Sequence, residues 1–363
     1  MRVVCVGGGI VGMLSTLFLA RAGIDVVLTE IGSFGGESSW AGGGIVSPLY
    51  PWRYDSAVTA LARWSQAFYP ILARQLHVQA NLDPEVYVSG LYWLDLDDDA
   101  DALAWSEREG AGLEQVDIRS VRLAVPALAL DYERAIYMAN AANVRNPRLL
   151  KALRHALQSM PNVSLREHCD VTGFIRSGCR ISGVHSSHGD IHADQVVVCA
   201  GAWSGNLMSG LGPVLPIAPV KGQMILYKCS KDFLSSMVLM RGRYAIPRRD
   251  GHILVGSTLE YVGFDKTPTD EALQCLRASA EQLLPALAGS PVVGHWAGLR
   301  PGSPHGVPFI GGVPAFPGLW LNCGHYRNGL VLAPASCQLL ADLILGREPI
   351  VDPAPYCPAG RFG

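Results

Sequence analysis

The sequence predicts an α/β fold joined to an α+β part, two domains in all, and three observations lead there. The chain of 363 residues, 49% hydrophobic and 17% charged, is long enough for two cores at about 150 residues per domain. Its amino terminus alternates strand, helix and strand signals within thirty residues. Further on, short apolar runs are separated by turn residues, and the 40 Gly and 24 Pro are scattered without a period. That pattern means many tight turns rather than a fibrous repeat.

The first element is Val3-Val4-Cys5-Val6, an apolar, β-branched run suited to a buried parallel strand. Ile10, Met13, Leu14, Leu17 and Phe18 then recur at helical spacing until Gly23 ends the helix, and Asp25-Val26-Val27-Leu28-Thr29-Glu30 forms the second strand. Between strand and helix lies Gly7-Gly8-Gly9-Ile10-Val11-Gly12, a G-x-G-x-x-G in the context that gives it meaning. Gly7 permits a tight turn, Gly9 lets the backbone approach a pyrophosphate, and Gly12 lets helix and strand pack closely. Unpaired N–H groups at the helix start would face the diphosphate. Glu30 at the end of the second strand is placed to accept both hydroxyls of an adenosine ribose. A carboxylate there repels a 2′-phosphate, so FAD or NAD is favoured over NADP. The charge-free stretch from Val3 to Ala20, ending in Ala20-Arg21-Ala22, imitates a signal peptide. Its four glycines fit the nucleotide turn and would weaken an inserted helix, and no other stretch approaches a transmembrane span.

Lys and Arg total 29 against 31 Asp and Glu, a net charge of −2, and no basic run is present. Nucleic acid is therefore not an expected partner. The nine cysteines, at 5, 169, 179, 199, 229, 275, 323, 337 and 357, show neither CxxC nor metal-type spacing. A dispersed, odd set reads as reduced thiols in a cytoplasmic protein, with no metal site.

The middle of the chain points to FAD. After the second strand it enters Gly36-Glu37-Ser38-Ser39-Trp40-Ala41-Gly42-Gly43-Gly44-Ile45, where small residues would let backbone N–H groups line a flat cofactor. Val163 to Gly201 reads as short strands with turns at Ser177-Gly178 and His188-Gly189-Asp190, ending in the buried run before Ala200-Gly201-Ala202-Trp203-Ser204. Leu319-Trp320-Leu321-Asn322 is a further strand. It leads through Cys323-Gly324-His325-Tyr326-Arg327-Asn328-Gly329 into a helix with Leu332, Ala335, Leu339, Leu340, Leu343 and Ile344 on its apolar face and Pro334 in its first turn. The start of such a helix stabilises negative charge on a reduced flavin.

These segments, with Gly298-Leu299-Arg300-Pro301 and Val144-Arg145-Asn146-Pro147-Arg148, together resemble the D-amino acid oxidase-like FAD-dependent oxidoreductases. Within them the nearest group is the glycine oxidases of the thiamine-biosynthesis type. The resemblance runs from Arg2 to about Gly346. It implies a Rossmann-like FAD-binding domain (1–47, 144–215 and 296–363) and a substrate-binding domain (48–143 and 216–295) built on an antiparallel sheet flanked by helices. In keeping with that, 55–77 and 270–284 read as helices. Gly90 to Leu96, Gln223 to Tyr227 and a hairpin of Tyr244 to Arg248 and His252 to Ser257, turning at Arg249-Asp250-Gly251, read as strands.

The cofactor set so implied comprises Gly7, Gly9, Gly12, Ile10, Val11 and Glu30, then Ser38, Ser39, Ala41, Gly42, Gly43 and Gly44. Val171, Ala200, Gly201 and Trp203 follow, and then Arg300, His325, Tyr326, Arg327, Asn328, Gly329 and Leu330. The substrate would be glycine or a small related amine such as sarcosine or a short D-amino acid. In the resembling family an arginine of the Gly-x-Arg-Pro loop takes the carboxylate, which maps to Arg300. A surface position is the ordinary fate of an arginine, but Arg300 lies in an apolar segment from Val292 to Ile310 without a local acid. Arg327 either contacts substrate or orders its loop through an ion pair. Tyr244 and Tyr261 compete for a position at the cavity, and for Tyr244 a core tyrosine with its hydroxyl on a backbone carbonyl is at least as good a reading. His325 reads as a structural histidine, not an acid or base.

The implied reaction is hydride transfer from Cα to flavin N5, giving an imine that water hydrolyses to the oxo acid and ammonia, with dioxygen reoxidising the flavin to yield hydrogen peroxide. The lack of a cysteine between Gly298 and Ile310 implies noncovalent FAD, and His305 stands where an acid is expected. The resemblance further implies a homo-oligomer, a tetramer by analogy, and a role in thiamine thiazole biosynthesis. No stable membrane association is expected. The competing readings are a D-amino acid dehydrogenase that reduces a quinone, and a subunit whose FAD is structural.

Overall fold

The computed structural model describes residues 1–129, 131–212 and 214–362. The strand Arg2–Val6, the helix Ile10–Arg21 and the strand Asp25–Thr29 form the expected β-α-β unit. They lie at the centre of a six-stranded sheet ordered Phe309–Gly312, Leu319–Cys323, Gln195–Val198, Arg2–Val6, Asp25–Thr29, Val163–Arg166. All neighbours are parallel except the first pair. Period-two alternation assigns the faces. Val3 and Cys5 pack on a helical layer containing Leu14, Leu17, Leu153 and Leu339, whereas Val4 and Val6 pack toward Phe174, Ile181 and Val184 of a three-stranded sheet. Burial on both faces explains why the strand sequence reads as a continuous apolar run.

The second sheet has eight strands, ordered Val292–Gly302, Ala218–Lys228, His252–Gly256, Arg243–Pro247, Met237–Met240, Leu91–Leu94, Arg134–Met138, Leu113–Asp117. Its pairs are antiparallel except Met237–Met240 with Leu91–Leu94. One face, including Ile225, Tyr227, Ala245 and Val255, packs on the helix Asp270–Leu283 through Leu276, Ala280 and Leu283. The other face carries Met224, Tyr244, Ile246 and Leu254, and Met224 and Tyr244 turn toward the cavity described below. The hairpin turn closes as expected, with Gly251 at φ 85° and its N–H donating to Arg248 O.

Two sequence expectations need correction. Pro334 does not sit in the first turn: the helix runs Gly329–Leu345, so the proline falls in the second turn and is interior. An interior proline removes the hydrogen bond to the carbonyl four residues earlier. Here the Tyr69 hydroxyl, on the long helix Ser56–Ala80, donates to that carbonyl, Leu330 O, at 2.6 Å, and Ser65 Oγ accepts from Ala335 N–H at 3.0 Å. The second correction concerns membrane-length segments. Tyr326–Leu345 is long and apolar enough to cross a bilayer by length and composition, but most of it is buried inside the protein. It is the core helix against which Ile10–Arg21 and Ser56–Ala80 pack.

Because the Tyr69 hydroxyl replaces the missing backbone donor, Tyr69→Phe leaves Leu330 O buried without a partner. The substitution is expected to lower unfolding free energy by about 1–3 kcal/mol, read from urea denaturation. An unchanged midpoint would show that the helix tolerates the unpaired carbonyl.

Candidate active site

The glycine turn is fixed by close backbone approach. Gly7 has φ 110°, and a Cβ there would overlap Cys199 O; a Cβ on Gly12 would overlap Gly7 O. Gly9 caps the helix in an extended conformation, and Ile10 N–H donates to Ser39 Oγ at 2.9 Å. Glu30 is held by two backbone donors, Gly8 N–H at 2.7 Å and Gly32 N–H at 2.9 Å, one on each carboxylate oxygen. Each oxygen keeps a lone pair for a ligand hydroxyl.

From this turn a cavity of about 470 Å³ runs to Arg300 and Arg327. That size suits a ligand pocket. Its wall brings together every cofactor-set residue expected from the sequence except Gly12 and Asn328. Gly12 is spent on the turn itself, and Asn328 is buried beneath the loop at the start of the helix Gly329–Leu345. Sequence reasoning did not single out Asn146 or Gly222 as parts of the wall. Asn146 Nδ2 holds Ser39 O at 2.8 Å and Gly42 O at 3.1 Å, while its buried Oδ1 has no partner. Gly222 lies inside a strand, and a Cβ there would overlap the Arg300 guanidinium. A glycine within a strand signals such a close approach.

Arg300 sits on the strand Val292–Gly302, opposite Val220. Nη1 donates to Lys221 O and Thr258 O, both at 3.2 Å, and Nη2 donates to Ser257 Oγ at 2.7 Å. Among the described residues it forms no ion pair with an acid. Burial lowers its pKa from the ordinary arginine value, and the nearby charge of Arg327 acts in the same direction. Arg327 also lines the cavity and has no carboxylate partner among the described residues, so the loop-ordering ion pair entertained from the sequence is not formed.

Of the two competing tyrosines, Tyr244 lines the cavity, with its hydroxyl on Met224 Sδ at 3.4 Å. Tyr261 is 74% exposed and outside the wall. His325 is buried against Ser336 Oγ at 3.0 Å, and burial brings its pKa down to about 3. It is therefore neutral at physiological pH. His305 is exposed, at φ 55°, away from the cavity. All nine cysteines are free, and no cluster of potential metal ligands occurs among the described residues.

The wall fits FAD on its own chemistry. It offers a glycine turn at a helix start, a backbone-held carboxylate for a ribose, a small-residue segment with an unpaired buried acceptor on Asn146, and at the far end a cationic pair. Bound there, FAD would act as the two-electron acceptor.

Since Gly222 clears the space for Arg300, Gly222→Ala is expected to displace the guanidinium. Binding of acetate, measured by calorimetry on the FAD-loaded protein, is then expected to weaken roughly 10- to 100-fold, the scale of a lost hydrogen bond to a charged group. Unchanged acetate affinity would place the anion elsewhere.

Comparison with known proteins agrees with this geometry. Residues 2–343 match the family described as DAO, FAD dependent oxidoreductase. The chain is 64% identical over 362 residues to the glycine oxidase of Pseudomonas putida, covering 100% of this chain and 99% of that one. The crystal structure of glycine oxidase from Geobacillus kaustophilus superimposes with a TM-score of 0.94 at 28% identity, with 100% of both chains covered. A bifunctional protein ThiO/ThiG of Nostoc is 29% identical over 356 residues, 95% of this chain and 53% of that protein. The fold, the cavity and these likenesses establish that the chain belongs to the DAO family of FAD-dependent oxidoreductases.

Proposed function

We propose that this protein oxidises glycine, and with it small amines such as sarcosine and short D-amino acids, using noncovalently bound FAD and dioxygen. The observation that carries the reading is Arg300, a half-buried cation at the cavity wall with no acid paired to it among the described residues. A buried charge without a counterion is costly unless a ligand supplies one. A planar guanidinium matches a carboxylate through paired N–H donors. High identity to the Pseudomonas putida enzyme over the full length supports glycine as the occupant.

The residues divide the work. Arg300 takes the carboxylate, with Arg327 adding positive potential, and this fixes the α-carbon relative to the rest of the cavity. Tyr244 and Met224 close the side formed by the antiparallel sheet and keep water from it. His325 is neutral, hydrogen-bonded to Ser336, and takes no proton at physiological pH. The chain thus supplies alignment and desolvation, and the substrate amine binds unprotonated. FAD supplies the chemistry of hydride acceptance when bound. Three cysteines line the wall, Cys169, Cys199 and Cys323, all buried, and burial raises the Cys199 and Cys323 thiols away from the reactive thiolate form, which supports noncovalent attachment. A role in supplying a glycine imine for thiamine thiazole synthesis is the finer part of the proposal, supported by the more distant bifunctional relative.

The test is anaerobic mixing of the FAD-loaded protein with glycine, sarcosine, D-alanine and D-proline while flavin absorbance is followed, then admission of air with a peroxide assay. Glycine is expected to bleach the flavin, and air to restore the colour with release of peroxide. Bleaching that persists in air until a quinone is added would make the protein a dehydrogenase. No bleaching by any of the four would leave the FAD a structural role.

A further inference from the structure

Arg248 has no part in the site as described so far. It follows the hairpin strand Arg243–Pro247 and is 7% exposed. The acids of its neighbourhood are committed elsewhere: Glu85 to Arg145 and Arg148, and Asp250 to Arg145 and His252. Its own donors go to uncharged oxygens. Nη1 donates to Val144 O at 2.9 Å and Asn143 Oδ1 at 3.1 Å, and Nη2 donates to Gly43 O at 2.7 Å. Burial lowers its pKa to about 10, which leaves it charged at neutral pH.

Gly43 is part of the cavity wall, and so are its neighbours Gly42 and Gly44. All three carbonyls of this segment are taken by the protein. Asn146 Nδ2 holds Gly42 O at 3.1 Å, Arg248 holds Gly43 O, and Val144 N–H holds Gly44 O at 2.8 Å. In a trans peptide the carbonyl and the following N–H point in opposite directions. Fixing Gly43 O on the guanidinium therefore turns Gly44 N–H away from Arg248. Neither the Gly43 nor the Gly44 N–H meets an acceptor among the described residues. Gly44 is at φ 82°, and a Cβ there would overlap Val144 O, so only glycine fits this position.

We propose that Arg248 is a positioning residue for the cofactor: by fixing Gly43 O it aims Gly44 N–H into the cavity as a donor to the isoalloxazine, and through that polarised peptide it favours the reduced flavin. The proposal rests on FAD occupying this cavity. An arginine is needed because one fork must reach both Val144 O and Gly43 O, which a single ammonium does not span. A donor and a positive charge directed at a flavin stabilise the electrons it receives, so removing them lowers its reduction potential.

The experiment compares the FAD-loaded wild type with Arg248→Met and Arg248→Lys, reading the two-electron flavin potential by dye equilibration, the visible spectrum and the FAD dissociation constant. For Arg248→Met the expectation is a tenfold loss of preference for reduced over oxidised flavin, a fall of about 30 mV. Arg248→Lys keeps the charge but loses the fork, and a smaller fall is expected. The KM for glycine should change little, because Arg300 is untouched. If both variants bind FAD at the wild-type potential with an unchanged spectrum, the proposal is wrong although the cofactor reading stands. Should Arg248→Met not fold, a wild-type potential in Arg248→Lys is enough to overturn it. A wild-type protein that takes up no FAD overturns the cofactor reading and this proposal together.

Discussion

A guanidinium at the cavity wall, with no carboxylate paired to it among the described residues, is the constraint around which the substrate end of the cavity is arranged. Arg300 is surrounded by two carbonyls, one hydroxyl and a second arginine. Those contacts partly replace hydration, but they do not neutralise it. The pairing of Val292–Gly302 with Ala218–Lys228 places it, and Gly222 on the adjacent strand makes room for it. Ser257, just beyond the strand His252–Gly256, offers its hydroxyl. Three stretches distant in sequence thus converge on one cation.

The two sheets divide the task. The parallel sheet presents its strand ends and glycine turn to a dinucleotide, the usual place for a ligand in a parallel sheet. The antiparallel sheet presents one face to its own helix and the other to the cavity. Period-two alternation puts Tyr244 and Ile246 on the cavity side while Ala245 enters the opposite core. The segment Gly42–Gly44 lies where the two meet, tied to one side by Asn146 and to the other by Arg248.

Legibility in the sequence followed the range of the interactions. The β-α-β unit is local, and its glycines, Glu30 and both strands are where the pattern puts them. The small-residue segment and the loop before the last helix were also legible from composition and neighbours. Features that depend on distant partners were not. Pro334 is tolerated because of Tyr69, more than 250 residues earlier, and Gly222 matters because of a guanidinium on the next strand. The apolar length of Tyr326–Leu345 belongs to a core helix, which only its packing reveals. The choice between Tyr244 and Tyr261 depended on which one the sheet turns inward.

The most direct measurement is a crystal structure of the FAD-loaded protein with glycolate, which has the size and carboxylate of glycine but no amine. The account predicts a carboxylate within about 2.7–2.9 Å of the Arg300 guanidinium nitrogens, the range of a charge-assisted hydrogen bond. A carboxylate held away from Arg300, with that guanidinium still bonded only to Lys221, Ser257 and Thr258, would contradict it.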